Sequence, residues 1–117
     1  MQRFFFRSKI HRATITSVSL EYEGSVSIDT KLLLSADIRP YEQVDVLNIN
    51  NGNRFTTYAI EAEANSGIVQ VNGAAARLCE KSDLIIILSY CILNEKEMLN
   101  FKTKVISVDE QNRLIKK

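Results

Sequence analysis

Hydrophobic and polar residues alternate along several short segments of the chain, a period-2 pattern that is typical of half-buried β-strands. β-Branched residues are frequent in these segments, which also favours strands. The apolar run at 84–88 has no polar alternation, and this predicts a strand that is buried on both faces. Together the patterns predict strands over residues 9–18, 26–28, 43–49, 54–60, 68–71, 84–90 and 104–108.

Turn and helix signals separate these predicted strands. Asn51-Gly52 is a strong hairpin signal, because both residues tolerate positive φ. Asp29 or Thr30 can cap one short helix, and Asn94 can cap a second. Many short strands with two short helices predict a mainly β fold, a small closed β-barrel, since closure removes exposed sheet edges.

Composition indicates a single domain without a polyanionic partner. The 117 residues, 45% of them hydrophobic, are enough for one core, so one domain over residues 1–117 is expected. Fifteen basic and fourteen acidic side chains leave a net charge of +1, which disfavours nucleic acid as a partner. No apolar segment approaches the length of a membrane span, so no membrane contact is predicted and the cytoplasm is the expected location.

The cysteines and the single histidine are dispersed. Cys79 and Cys91 belong to no C-x-x-C motif or histidine cluster, so the sequence predicts no metal site and no disulfide framework. Two buried, reduced thiols are expected. A serine hydrolase would have to use His11, and the G-x-S-x-G motif is absent, which disfavours that class of enzyme.

Gly24 is followed directly by Ser25, and this pair permits unusual backbone chemistry. Glycine reaches φ/ψ values closed to other residues, so the chain can bend until the Ser25 hydroxyl faces the Gly24 carbonyl carbon. Addition of that oxygen converts the peptide bond to an ester. β-Elimination and hydrolysis then leave a carboxylate on Gly24 and a pyruvoyl group in place of Ser25. The alternative is an ordinary hairpin turn without chemistry.

Two further groups of residues could hold an anion. Lys9 and His11 share a face of the first predicted strand and could grip a carboxylate, although a solvated strand edge is the commoner explanation of such a pair. Gly73, Ala74 and Ala75 allow a ligand to approach the backbone, whose N–H groups would form an anion cradle. A turn that enters a short helix is the alternative for this second segment.

The strand predicted over 54–60 carries three polar residues that could serve one site. Arg54 and Tyr58 lie on one face of it, about 13 Å apart along the strand. Thr57 faces the other side unless a bulge intervenes. A site that uses all three residues therefore needs a distortion or a subunit boundary.

Four collinear segments between residues 7 and 92 resemble the signature segments of the aspartate 1-decarboxylase family. They are Lys9-Ile10-His11-Arg12, Tyr22-Glu23-Gly24-Ser25, residues 51–60 and Val71-Asn72-Gly73-Ala74-Ala75-Ala76. Enzymes of this family use a pyruvoyl group to convert L-aspartate to β-alanine for pantothenate synthesis. The order and number of the segments make the resemblance specific.

The resemblance implies a six-stranded double-psi β-barrel with short helices, assembled as a homotetramer with active sites at subunit boundaries. It also implies self-cleavage between Gly24 and Ser25, which would give chains of residues 1–24 and 25–117. The second chain would begin with the pyruvoyl group, the expected covalent cofactor. Its ketone would form a Schiff base with aspartate and accept the electrons left when CO₂ departs.

The resemblance further implies roles for the matching residues. Arg54, assisted by Lys9 and His11, would hold the side-chain carboxylate of the substrate, since a strong cation on the departing carboxylate would stabilise the ground state. Tyr58 would return a proton to the carbanion. Thr57 would stabilise the oxyanion at the Gly24 carbonyl during cleavage and would also contact the substrate. The other implied roles are a backbone cradle for the substrate from Gly73, Ala74 and Ala75, and supporting hydrogen bonds from Tyr22 and Asn72.

Some of the chain departs from the resemblance. Residues 3–6 and those beyond 93 carry no signature of the family, and Leu47 stands where some members have an aromatic residue. The competing prediction is a non-catalytic small β-barrel that acts as a binding or assembly module. Near-neutral charge counts against DNA as its partner.

Overall fold

The structure is a computed structural model that describes residues 1–115. Within these residues, eight strands and three short helical segments follow one another along the chain. The strands are β1 (Gln2–Thr14), β2 (Ser17–Ser19), β3 (Ser25–Asp29), β4 (Gln43–Asn48), β5 (Arg54–Ala62), β6 (Val69–Asn72), β7 (Leu84–Asn94) and β8 (Lys104–Ser107). The helices are α1 (Thr30–Ala36) and α2 (Glu95–Met98), and a 3₁₀ helix spans Gly73–Leu78.

These strands form one sheet in the order β2-β6-β3-β5-β4-β7-β1-β8. β3 is antiparallel to β6 and parallel to β5, and β4 is antiparallel to both β5 and β7. β2 and β3 lie on opposite sides of β6, so a hairpin turn at Gly24-Ser25 is wrong as an explanation of that pair. Asn51-Gly52 does join the antiparallel strands β4 and β5, as predicted.

β1 begins at Gln2, well before the predicted start at residue 9. Its first half pairs with the last half of β7, beginning with Gln2 opposite Asn94. The aromatic run in this part of β1 has no alternation, so the strand depends on its partner and not on a local pattern. Two register shifts interrupt the ladder, and at the second one Arg12 has a φ of 63°.

The single strand predicted over 9–18 is divided at Ile15 and Thr16. The backbone N–H of Ile15 donates to the Asp83 carbonyl at 2.9 Å, and that of Thr16 donates to the Val69 carbonyl at 2.8 Å. Asp83 precedes β7 and Val69 begins β6, two strands that lie far apart in the sheet order. The segment between β1 and β2 therefore draws distant parts of the sheet together, which favours a barrel. Complete closure stays a prediction.

The core lies on the inner face of the sheet, with α1 packed against it. Its largest fully buried side chains are Ile10, Ile15, Val26, Ile28, Leu32, Leu33, Val44, Val46, Val69, Val71, Ile85 and Ile87. Ile86 faces the other way and is half-buried, but Leu88 on the same face is buried, so burial of β7 on both faces is confirmed only near Leu88. The fold is mainly β with short helices, as predicted, and the described residues form eight strands where the resemblance implied six.

Both predicted helix caps are confirmed. The Asp29 side chain accepts a hydrogen bond from a backbone N–H in the first turn of α1, and Asn94 forms a capping box with Glu97 at α2. Asp29 is 2% exposed and also accepts bonds from the N–H groups of Asn65 and Gly67. Its buried carboxylate is thus satisfied by backbone donors, and it ties the start of α1 to the loop before β6.

The cysteine prediction is half right. Cys79 is buried, Cys91 is half-buried, and both thiols are free. Across residues 1–115, no helix combines the length and the apolar character needed to span a membrane. The same part of the chain contains no group of three side chains suited to holding a metal ion.

Candidate active site

Three neighbouring strands, β6, β3 and β5, turn alternate side chains away from the core and form an open cleft of about 530 Å³. The inward positions of these strands hold the apolar core, so their polar side chains fall on the outer face. Tyr22 and Glu23 line the cleft from the loop before β3, and Tyr41 lines it from the segment before β4. The strand residues that line the cleft are Ser25, Ser27, Tyr58, Ile60, Gln70 and Asn72.

Ser25 is the first residue of β3 and lies directly opposite Asn72 of β6. Only 3% of its surface is exposed. Its Oγ accepts a hydrogen bond from Asn72 Nδ2 at 3.0 Å, and its hydroxyl donates to the Glu23 carbonyl at 3.3 Å. These two bonds hold the hydroxyl next to the Gly24 peptide group.

Asn72 belongs to a longer series of side-chain hydrogen bonds that crosses three strands. Its Nδ2 also donates to Ser27 Oγ at 3.0 Å, while its Oδ1 accepts from Gln70 Nε2 at 2.7 Å. Gln70 Oε1 in turn accepts from Ser17 Oγ at 2.7 Å. Polar side chains of β2, β6 and β3 thus form one connected series that ends at Ser25.

The backbone freedom expected of Gly24 is found at Gly73 instead. Gly73 has a φ of 73°, whereas Gly24 is outside the left-handed region, so the predicted bend at Gly24 is wrong in that respect. A Cβ on residue 73 would lie 2.7 Å from both the Cα and the N of Gly24, and 3.0 Å from the Tyr22 carbonyl oxygen. The missing side chain of Gly73 therefore lets the Gly24 backbone pack against the start of the 3₁₀ helix.

Tyr58 and Thr57 face opposite sides of β5. The β4–β5 register is continuous from Arg54 opposite Leu47 to Tyr58, and Thr57 pairs with Val44 without a bulge. The parity expected from the sequence is confirmed. Tyr58 is half-buried and lines the cleft with Ser25, while Thr57 points toward the inner side of the strand.

The predicted cationic residues lie elsewhere on the surface of the protomer. Arg54 lines a smaller cleft of about 260 Å³ together with Leu47 and Ile86, one residue from each of three neighbouring strands. Lys9 pairs with Leu88 on the far side of β7, and its Nζ lies 5.3 Å from the centre of the Phe6 ring. His11 is half-buried in β1, and the cleft around Ser25 is lined by none of Lys9, His11 and Arg54.

The small residues after Asn72 begin the 3₁₀ helix, so the turn into a short helix is confirmed. Gly73 is buried, Ala74 is exposed and Ala75 packs against the core. One protomer thus brings together Ser25, Tyr58, Tyr22 and Asn72, with Gly73 against the Gly24 backbone.

Comparison with known proteins decides the family. The family model described as aspartate decarboxylase matches residues 1–115. Aspartate 1-decarboxylase of Thermoanaerobacter pseudethanolicus is 58% identical over 113 residues, which cover 97% of each chain. The protein of the same name from Methylobacillus flagellatus is 53% identical over 114 residues, covering 97% of this chain and 90% of the relative. That from Caulobacter vibrioides is 55% identical over 111 residues, covering 95% and 93%.

The chain belongs to the aspartate decarboxylase family. The aspartate decarboxylase match covers residues 3–6 and 93–115 as well, where the sequence alone offered no recognisable signature. In the structure the two segments meet where Arg3 of β1 pairs with Leu93 of β7.

Sequence reasoning missed three residues of the side-chain hydrogen-bond series that ends at Ser25, namely Gln70, Ser27 and Ser17. Gln70 could have been found, since it lies two positions before Asn72 in a predicted strand and so shares its outward face. Ser27 could have been found in the same way from Ser25. Ser17 carried no such signal, because its position opposite Gln70 depends on the pairing of β2 with β6.

Proposed function

We propose that this member of the aspartate decarboxylase family converts L-aspartate to β-alanine and CO₂, after cutting its own chain between Gly24 and Ser25. The observation that carries the proposal is the shielded Ser25 hydroxyl, which lies beside the Gly24 peptide group and accepts a hydrogen bond from Asn72 at 3.0 Å. Tyr58 lines the same cleft. The product serves pantothenate synthesis, and the location is the cytoplasm.

Cleavage begins when Ser25 Oγ adds to the Gly24 carbonyl carbon. The C–N bond breaks, the nitrogen of residue 25 takes up the hydroxyl proton, and an ester remains. Loss of the α-proton of residue 25 with breakage of its Cβ–Oγ bond leaves a carboxylate on Gly24 and a dehydroalanine. Addition of water and loss of ammonia then give a ketone. The products are chains of residues 1–24 and 25–117.

The register between β3 and β5 supports a role for Thr57 in the first step. Val26 pairs with Ala59 in this parallel ladder. Continued by two residues toward the N-terminus, the register sets Thr57 beside Gly24. Its hydroxyl is the donor that we assign to the Gly24 carbonyl oxygen, which gains negative charge as the ester forms. Within this assignment Thr57 acts in its own subunit, on the inner side of β5.

The surroundings of Ser25 fit a pyruvoyl group at that position. The Asn72 amide provides a hydrogen-bond donor, and the missing side chain of Gly73 lets the Gly24 backbone, which precedes this position, pack closely. Such a group supplies an electron sink for the decarboxylation. Tyr58 donates a proton to the carbon that loses CO₂, a task for which a phenol held in a half-buried position is suited.

Substrate binding involves a second subunit in this proposal. Arg54 of β5, assisted by Lys9 and His11 of β1, holds the side-chain carboxylate of aspartate. A guanidinium suits this role because it binds a carboxylate with two parallel hydrogen bonds. These residues lie outside the Ser25 cleft of their own protomer. We therefore assign them to the cleft of a neighbouring subunit in a homotetramer, with the backbone of Gly73, Ala74 and Ala75 as a further cradle and Tyr22 as a supporting residue.

Exposed apolar side chains support the assembly. Phe4 is 78% exposed and Ile92 51% exposed on the paired ends of β1 and β7, and Val105 on the edge strand β8 is 47% exposed. Apolar groups concentrated on the outside of a sheet in this way are typical of protein interfaces.

Intact mass and denaturing electrophoresis test the proposal. The purified protein is expected to contain a short chain of residues 1–24 and a longer chain whose first residue reacts with hydroxylamine. The Ser25→Ala variant is expected to stay in one piece and to produce no β-alanine. An unbroken chain that decarboxylates aspartate would contradict the proposal, and an unbroken chain without activity would favour a binding module.

A further inference from the structure

The amide of Asn72 faces Ser25 with its NH₂ group, and its hydrogen-bond partners determine this orientation. An asparagine side chain turned by 180° has nearly the same shape, so only the donors and acceptors around it decide where the NH₂ group lies. The Ser25 hydroxyl has one hydrogen, which it donates to the Glu23 carbonyl. Its Oγ must then accept from Asn72, and the 3.0 Å bond from Nδ2 meets that need.

Gln70 supplies the matching donor at the other end of the amide. Gln70 Nε2 lies 2.7 Å from Asn72 Oδ1, and Gln70 Oε1 accepts from Ser17 Oγ at 2.7 Å. Gln70 is half-buried and lies directly opposite Ser17 of β2 and Ser27 of β3 in the sheet. Its amide is thus held between two neighbouring strands, with its own NH₂ group directed at Asn72.

We propose that Gln70, held by Ser17, is a positioning residue for cleavage at Gly24-Ser25. Gln70 donates a hydrogen bond to Asn72 Oδ1, and this keeps the NH₂ group of Asn72 directed at Ser25. The Ser25 hydroxyl then continues to donate its hydrogen to the Glu23 carbonyl. If the Asn72 amide turned over, its oxygen would compete for that hydrogen, and the hydroxyl would rotate away from its present orientation. The inference rests on the proposed self-cleavage and adds to it a residue that touches neither reacting atom.

Four variants test this role. Gln70→Glu replaces the donor by a carboxylate, which can still accept from Ser17 but offers no hydrogen to Asn72 Oδ1. Gln70→Met removes both hydrogen bonds without adding an acceptor, and Ser17→Ala removes only the outer bond. Thr30→Val is the matched control, because it removes a side-chain bond to the Ala62 carbonyl that lies outside the cleft.

The measurement is the rate at which the full-length chain, refolded by dilution from denaturant, converts to two fragments. At pH 7.5 we expect Gln70→Glu to cleave about tenfold more slowly than the unmodified chain, and Gln70→Met about threefold more slowly, the range for one neutral hydrogen bond. Ser17→Ala should fall between Gln70→Met and the unmodified chain. Thr30→Val should cleave at the unmodified rate.

The pH profile separates positioning from a general loss of packing. Below about pH 4.3, the ordinary pKa of a glutamate, residue 70 of Gln70→Glu regains an O–H donor, so its rate relative to the unmodified chain should rise toward one. The relative rate of Gln70→Met should stay constant. The other titratable side chains that line the cleft, Tyr22, Glu23, Tyr41 and Tyr58, are present in every variant and cancel in the ratio.

Each outcome decides the inference. Slower cleavage with a pH-dependent ratio for Gln70→Glu, at a thermal midpoint close to that of Thr30→Val, supports it. Cleavage of Gln70→Glu, Gln70→Met and Ser17→Ala at the unmodified rate overturns the role of Gln70 and leaves the proposed function intact. If Gln70→Glu does not fold, a normal rate in Gln70→Met and Ser17→Ala overturns the role equally. An unmodified chain that never splits overturns both proposals.

Discussion

Gly73 and Gly52 share a left-handed backbone but differ in their surroundings. Their φ values are 73° and 78°, yet a Cβ at residue 73 would lie 2.7 Å from the Gly24 backbone, whereas nothing lies within 4 Å of a Cβ at residue 52. The two positions therefore separate the cost of a left-handed alanine from the cost of contact with the Gly24 backbone.

We expect Gly52→Ala to lower the free energy of unfolding by about 1 kcal/mol through backbone strain alone. Gly73→Ala should cost about 1–3 kcal/mol more, because the Gly24 backbone has to move. Urea unfolding in an uncleaved Ser25→Ala background measures both costs. In the normal background, Gly73→Ala should also slow self-cleavage and Gly52→Ala should not. If the two substitutions change the unfolding free energy and the cleavage rate equally, the contact between Gly73 and the Gly24 backbone has no specific role in self-cleavage.

The Cys79 thiol gives the stability of the protein a specific pH dependence. Burial raises the pKa of Cys79 above its usual value, an effect that a hydrogen bond from Asn48 opposes and the charge of Asp83 reinforces. A thiol with a raised pKa in the folded state stabilises the fold below the pKa of the unfolded thiol, and this contribution is lost as the pH rises past it. The free energy of unfolding should therefore fall above about pH 8.5.

Cys79→Ala should flatten this fall, since the buried thiol is no longer there to resist ionisation. The measurement is the change in urea midpoint between pH 7 and pH 10 for the unmodified chain, Cys79→Ala and the half-buried control Cys91→Ala. A midpoint that drops equally in all three proteins would show that Cys79 has no part in the alkaline instability.

At the scale of whole elements, local signals predicted what depends on neighbours in sequence. The caps at Asp29 and Asn94 and the hairpin at Asn51-Gly52 are confirmed, because each is formed within a few residues of chain. The start of β1 and its division at Ile15 were not predicted. Both depend on hydrogen bonds to residues distant in sequence, which leave no mark on the local alternation.

The same difference between local signals and long-range contacts explains which residues of the candidate site were predicted. Ser25 and Tyr58 were found because each carries a recognisable chemistry at a recognisable motif. Gln70 has neither, and its importance comes from two cross-strand neighbours, Ser17 and Ser27. The positive φ found at Gly73 and not at Gly24 could not be predicted from the sequence either, since it depends on how the 3₁₀ helix packs against the Gly24 backbone.

Asn112 ties three separate elements together. Its Oδ1 accepts from the Thr14 N–H at 2.8 Å, and its Nδ2 donates to the Thr14 and Gly67 carbonyls, each also at 2.8 Å. The residue is 1% exposed and has a φ of 58°. The turn after β8 thereby fixes the end of β1 and the loop that leads to β6 and the cleft.

Asn112→Ala should lower the free energy of unfolding by about 2–4 kcal/mol, because one buried and two partly buried backbone groups lose their partner. Asn112→Gly separates this loss from backbone strain, since glycine tolerates the positive φ. We expect Asn112→Gly to recover no more than about 1 kcal/mol of the unfolding free energy that Asn112→Ala loses. Urea unfolding of the two variants beside Gln111→Ala, an exposed neighbour, measures the effect. Full recovery in Asn112→Gly would assign the role of Asn112 to its backbone alone.

At the scale of the whole molecule, the predicted site consists of two half-sites on one protomer. Ser25 and Tyr58 share a cleft across β6, β3 and β5, while Arg54 lies in another cleft farther along the outer face. Arg54 and Tyr58 are four positions apart on the same face of β5, or about 13 Å. In the proposed assembly, a second copy brings its own Arg54 to the first cleft, so that one aspartate contacts both side chains.

Complementation between two inactive variants tests this arrangement. Tyr58→Phe should cleave its chain normally but lose at least about a hundredfold in turnover, as expected for removal of a proton donor. Arg54→Ala should also cleave and should bind aspartate poorly. If each site combines half-sites from two subunits, co-expression of the variants in equal amounts should make roughly one quarter of the sites intact in mixed tetramers. The readout is β-alanine formed per subunit.

The control for mixing is Tyr58→Phe co-expressed with Ser25→Ala, whose defects lie in the same half-site. That pair should regain no activity. Only the Tyr58→Phe subunits carry an intact Ser25, so every half-site with Ser25 lacks the Tyr58 hydroxyl. Recovery in the first pair and none in the second would establish that Arg54 acts across the subunit boundary. Equal absence of recovery in both pairs, with mixed tetramers present by mass, would mean that Arg54 and Tyr58 serve a site within one chain, and the outer face of β5 would have to bend to bring them together.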